Sequence, residues 1–109
     1  MTARRATTRG RGSRTGRPVM ILLDLLGRRW MLRVLWELRT GPMTFRSLRG
    51  ACEQVSPSVL NDRLAELRES DLVELREGEG YALTATAEEL GELLLPLDAW
   101  AKRWAARLR

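Results

Sequence analysis

A mainly α fold with one two-stranded hairpin (α+β) is what this sequence predicts, on three observations. A helix opening at Thr44 (TFRSLRGAC) and a second opening at Ser56-Pro57 (SPSVLNDRLAELRES) are separated by the short break EQVS. A short apolar strand (LVELR), a glycine turn (EGEG) and a second strand (YALT) follow directly. On both sides of this unit, apolar residues recur at helical spacing. Helix, turn, helix and ribbon in this order make a winged helix-turn-helix, which turns the outer face of its second helix towards a DNA major groove.

The elements follow in chain order. Residues 1–17 (MTARRATTRGRGSRTGR) are rich in Gly, Thr and Arg and poor in apolar side chains, so they read as a disordered arm. The arm either stays solvated or follows DNA phosphates. Residues 18–109 then form one winged helix-turn-helix domain with dimerising helices at its two ends. Pro18 suits the first turn of a helix running to about Leu26, which Gly27 stops. A second helix runs from about Trp30 to Arg39, with Trp30, Met31, Val34, Leu35 and Leu38 facing the core, and Gly41-Pro42 ends it. Thr44 caps the third helix, which turns Phe45 and Leu48 inward, and Ser56 caps the fourth with Pro57 at its first position.

In the fourth helix Val59, Leu60, Leu64 and Leu67 form an apolar stripe. Ser58, Asn61, Asp62 and Ala65 lie roughly opposite it. The hairpin Leu72–Arg76 and Tyr81–Thr84 follows. A long last helix then runs from about Thr86 to Arg107, with Leu90, Leu93, Leu94, Leu97, Trp100, Ala101, Trp104 and Leu108 in a continuous stripe. Pro96 inside it is expected to kink it.

Charge and composition limit the function. The net charge of +5 is concentrated in residues 1–17, which hold six arginines and no acid. The remaining residues carry 13 basic and 14 acidic side chains, so the folded part is nearly neutral. The chain has no histidine and one cysteine, Cys52. This excludes an internal disulfide, a histidine-based zinc site and a serine–histidine triad. No carboxylate pair or nucleophile–base pair stands out, so no catalytic residue, metal or cofactor is expected. Cys52 reads as a small core residue, with a redox-sensitive thiol as the alternative. The longest apolar run, VMILLDLL, is interrupted by Asp24 and falls far short of the roughly 20 residues that span a bilayer. No signal-peptide core follows Arg4-Arg5, and a cytoplasmic protein without membrane contact is the expectation.

Reading base edges requires small or hydrogen-bonding side chains on the outer helix face. Ser58, Asn61 and Asp62 meet that need, and Ser56 with the helix N-terminus offers N–H groups to a phosphate. Arg63 sits beside the apolar stripe, where a phosphate clamp and a bridge to an internal acid are both open, the second being favoured. Arg46 and Arg49 on the preceding helix either meet backbone phosphate or are solvated. Arg76 is the one base in a wing that also carries Glu77 and Glu79, so the wing either stays clear of DNA or serves only the fold.

In the same order, these residues resemble the HxlR-type branch of the MarR-like winged-helix regulators. The resemblance covers about residues 18–104. It rests on Gly27, Arg29 and Trp30; on Gly41, Pro42, Phe45 and Leu48; on Val55, Ser56, Val59, Leu60, Arg63 and Leu64; on Tyr81, Leu83 and Thr84; and on Leu95, Pro96, Leu97 and Trp104. It implies a small bacterial homodimer that binds a pseudo-palindromic DNA site and represses or activates transcription. Arg17 stands where family members often have a sensing cysteine, so that sensing is not implied. The wing is also shorter than usual, and Ala87 replaces a frequent glycine.

Trp100 and Trp104, one turn apart and close to Leu97, suit a dimer interface or a pocket for a flat apolar effector, with packing favoured. A homodimer reading double-stranded DNA is therefore the main expectation. A winged-helix module that docks on protein without reading DNA is the alternative.

Overall fold

The computed structural model describes residues 16–109. The arm assigned to residues 1–17 therefore lies almost wholly outside the described part. Five α-helices and one hairpin follow in order among the described residues: α1 (Pro18–Leu26), α2 (Met31–Glu37) continued by a 3-10 turn (Leu38–Thr40), α3 (Phe45–Ala51), α4 (Pro57–Glu69), β1 (Val73–Arg76), β2 (Gly80–Leu83) and α5 (Ala85–Arg107).

The expected caps are present. Thr44 accepts from the Ser47 amide, Ser56 from the Val59 amide with Pro57 following it, and Thr84 from the Ala87 amide. Each satisfies one of the free N–H groups that a helix start exposes. Gly27 ends α1 as its C-cap.

Three helix boundaries differ from the sequence expectation, and the strands run Val73–Arg76 and Gly80–Leu83 rather than Leu72–Arg76 and Tyr81–Thr84. The second helix begins at Met31 rather than Trp30, because Trp30 takes a left-handed backbone (φ 74) that no helical residue shares. The same helix tightens into the 3-10 turn over its last residues. Thr84 is the cap of the last helix, not the end of a strand, so that helix begins one residue early. The last helix is also unbroken around Pro96. A proline there removes one rung of the ladder while the turns on either side keep theirs.

The two strands pair antiparallel, Val73 with Leu83 and Arg76 with Gly80. Met43, just before α3, adds an isolated bridge to Tyr81, so the hairpin is anchored to the body by a third backbone segment.

The core lies between α2, α3, α4 and the ribbon. Met31, Val34, Leu48, Cys52, Leu60, Leu64 and Leu67 are its innermost members. Leu60, Leu64 and Leu67 are the inward stripe of α4; Val59, expected with them, is half-buried at its edge. At roughly 1.5–3 kcal/mol for each fully buried large apolar side chain, this stripe is what orients α4.

Candidate nucleic-acid interface

The turn between α3 and α4 is built from residues that seldom adopt its shape. Glu53 and Gln54 both take left-handed backbones, φ 57 and 61. The Cys52, Glu53 and Gln54 amides donate back to the carbonyls of Leu48, Gly50 and Arg49, closing the end of α3. Two arginines brace the turn. Arg49 Nε donates to the Val55 carbonyl at 2.6 Å. Arg33 reaches across from α2, with Nη2 donating to the Ala51 carbonyl at 2.7 Å and Nε to Glu37 at 2.8 Å. Its Nη1 lies 3.5 Å from Glu53. Cys52 is fully buried in this turn, and burial raises its thiol pKa above the usual value, partly offset by Arg33.

Held in this way, α4 presents Ser58, Asn61, Asp62 and Ala65 to solvent, as its periodicity predicts. Ser56 stands exposed at the helix start, its hydroxyl 3.1 Å from that of Ser58. Arg46 is exposed on α3. The other three arginines named from the sequence are occupied. Arg49 is half-buried in the turn. Arg63 is 18% exposed and donates to Glu66 at 3.1 Å. Arg76 donates to Glu74 at 2.8 Å and lies 3.8 Å from Glu79, so the wing's base is matched by its own acids. The bridge from Met43 to Tyr81 and the ion pair joining Arg28 to Glu66 were not foreseen. A single bridging residue has no periodicity, and a pair 38 residues apart leaves no local signal.

The ends of the domain are apolar and open. Val19, Met20 and Leu23 are exposed on α1; Leu93, Leu95, Leu97, Trp100, Trp104 and Leu108 are exposed on α5. Trp100 and Trp104 stack at 6.0 Å with their planes 10° apart. A cleft of about 980 Å³ runs between α2 and α5, lined in part by Leu32, Trp36, Leu90, Leu94 and Leu97. Arg39 covers the Trp36 ring at 3.7 Å from its centre. No helix among the described residues is long and apolar enough to cross a membrane. No group of three or more potential metal ligands comes together among them.

The sequence model of the HxlR-like helix-turn-helix family matches residues 25–109. The chain belongs to that family. Among its HxlR-like relatives, the HTH-type transcriptional regulator YodB of Bacillus subtilis is 30% identical over 87 residues, covering 74% of this chain and 78% of YodB. The HTH-type regulator MJ0925 of Methanocaldococcus jannaschii is 27% identical over 89 residues, covering 78% and 83%. The structure of quinone-bound YodB superposes with a TM-score of 0.72 at 29% identity, over 78% of this chain and 96% of that one. A possible HxlR family transcriptional factor of Thermoplasma volcanium gives 0.71 at 28% identity, over 83% and 86%. This HxlR-like chain is thus a winged helix-turn-helix DNA-binding regulator of transcription, and the protein-docking alternative gives way to that reading.

Proposed function

We propose that the protein acts in the cytoplasm as a homodimer on an inverted-repeat DNA site, and catalyses no reaction. The outward row Ser58, Asn61, Asp62 on a capped, braced helix carries the reading of sequence. Asn61 suits bidentate pairing with adenine, Asp62 accepts from cytosine, and Ser58 contacts either base type. Ser56 with the first free amides of α4, and Arg46 on α3, take backbone phosphates. Arg49, Arg63 and Arg76 belong to the scaffold in this reading, because each is already bound by a carbonyl or carboxylate of the domain.

Two features support the dimer. An apolar face as long as that of α5 is costly in water, and a second copy would cover it. Charge also divides along the helix. Glu88, Glu89 and Glu92 lie in its first half and Lys102, Arg103 and Arg107 in its second, where the one acid, Asp98, lies 3.4 Å from Lys102. Antiparallel pairing about a two-fold axis brings each half opposite its complement. The cleft beside Trp36 would take a flat apolar effector of the kind bound by quinone-bound YodB.

Light scattering and selection of bound fragments from genomic DNA test the proposal together. The expected result is a dimer and an inverted repeat whose half-site centres lie about 34 Å apart. A monomer, or a single unpaired motif, refutes it.

A further inference from the structure

One carboxylate ties the start of the domain to the recognition helix. Glu66 on α4 accepts from Arg28 Nη1 on one oxygen at 2.5 Å and from Arg63 Nη1 on the other at 3.1 Å. All three side chains are only 18–24% exposed. Arg63 Nε finds no hydrogen-bond partner among the described residues, so the Glu66 contact orients that guanidinium. Arg28 lies in the turn between α1 and α2, directly after Gly27. Its amide donates to Leu25, and its carbonyl accepts from Met31. Fixing Arg28 therefore adds a directional hold on α1, whose Leu22, Leu25 and Leu26 pack against the core.

We propose that Glu66 is a positioning residue that sets the spacing and angle between the two recognition helices of the dimer, by clamping the α1–α2 junction to α4 through Arg28. The inference rests on the homodimer reading given above, and adds to it that α1, with Val19, Met20 and Leu23 exposed, contributes to the contact between copies. A change in the direction of α1 then moves one α4 relative to the other. Charge-assisted hydrogen bonds suit this task because they hold direction as well as distance, where apolar packing would tolerate sliding. Arg63 lies within α4 and stiffens the acceptor; Arg28 comes from the other element and carries the coupling.

The test uses the full chain and its selected operator, with the spacer between half-sites lengthened or shortened by one base pair. Such a change shifts a half-site by about 3.4 Å and turns it by about 35°. Affinities are measured for the wild type, Arg28→Met and Glu66→Gln on these sites and on an isolated half-site. Both variants are expected to remain dimers and to bind the isolated half-site within about twofold of wild type. Their preference for the native spacing is expected to fall about fivefold, within the coupling found between members of one ion-pair network. Unchanged spacing preference in two dimeric variants overturns this inference alone. Equal losses on the isolated half-site and the full operator also overturn it, because they assign Glu66 to the local fold of α4. A monomeric wild type overturns the dimer reading and this inference together.

Discussion

Replacing Gly80 with alanine tests how the wing is fastened. Gly80 opens β2 at φ 102. A Cβ there would sit 2.9 Å from the Thr44 Cα and closer still to the Met43 carbonyl. Both obstacles are backbone, so neither can rotate away. Next to this point Met43 and Tyr81 exchange two hydrogen bonds, at 2.9 and 2.7 Å. The positive φ costs about 1–2 kcal/mol for a residue with a side chain. Pushing the two segments apart sacrifices two backbone bonds worth about 0.5–1.5 kcal/mol each. Together these give a loss of about 2–5 kcal/mol for Gly80→Ala. Gly78 is the control: its φ is 78, but a Cβ there meets nothing within 4 Å. Gly78→Ala should therefore cost only the backbone term, about 1–2 kcal/mol. Urea unfolding followed by tryptophan fluorescence, at one fixed protein concentration, reads both values from the midpoints. Equal costs for the two variants, within about 0.5 kcal/mol, would refute the claim that close backbone approach fixes the wing.

Four further outcomes are expected. Leu64→Ala removes a side chain 1% exposed in the α4 stripe and should lower stability by about 2–5 kcal/mol in the same assay. Asn61→Ala should leave stability within about 0.5 kcal/mol and reduce discrimination at one base position by about 1–3 kcal/mol, read by competition between matched and mismatched sites. Cys52 has a folded pKa raised by burial, so its contribution to stability is complete below the free thiol's range and declines as pH rises from there towards the folded value. Melting temperatures across that alkaline window should fall more steeply for wild type than for Cys52→Ala, and parallel curves would count against it. Deleting residues 1–17 should flatten the salt dependence of DNA binding by about 0.9 for each phosphate the arm neutralises, and an identical slope would remove the arm from the contact.

The parts of this domain that were legible in the sequence are those whose cause is local. Thr44, Ser56 and Pro57 mark helix starts because the capping oxygen and the proline ring act within one turn. The two faces of α4 follow from a period of 3.6, which is why Leu60, Leu64 and Leu67 fall inside while Ser58, Asn61 and Asp62 fall outside. Features that depend on distant partners were hidden. Trp30 carries no sign of its left-handed backbone, a conformation more usual for Gly or Asn. Helical hydrogen bonding continues on both sides of Pro96, because order there depends on the whole of α5 and not on one residue. Spacing shows that Arg49 and Arg76 lie near the surface but not the carbonyl or carboxylate that each guanidinium meets. The same period puts Arg63 beside the stripe, where it is partly buried. The period does not say which acid it bridges; the fold supplies Glu66.

Thr84 carries a wider consequence. Its hydroxyl accepts from the Ala87 amide while donating to the Asp71 carbonyl at 2.7 Å, and its own amide donates to Leu72. One side chain thus ties the segment leaving α4 to the entrance of α5, the two helices that the proposed function assigns to DNA and to the second copy. No slack linker intervenes between them. A tug on either rod reaches the other across a few bonds, and the two can be expected to loosen in concert.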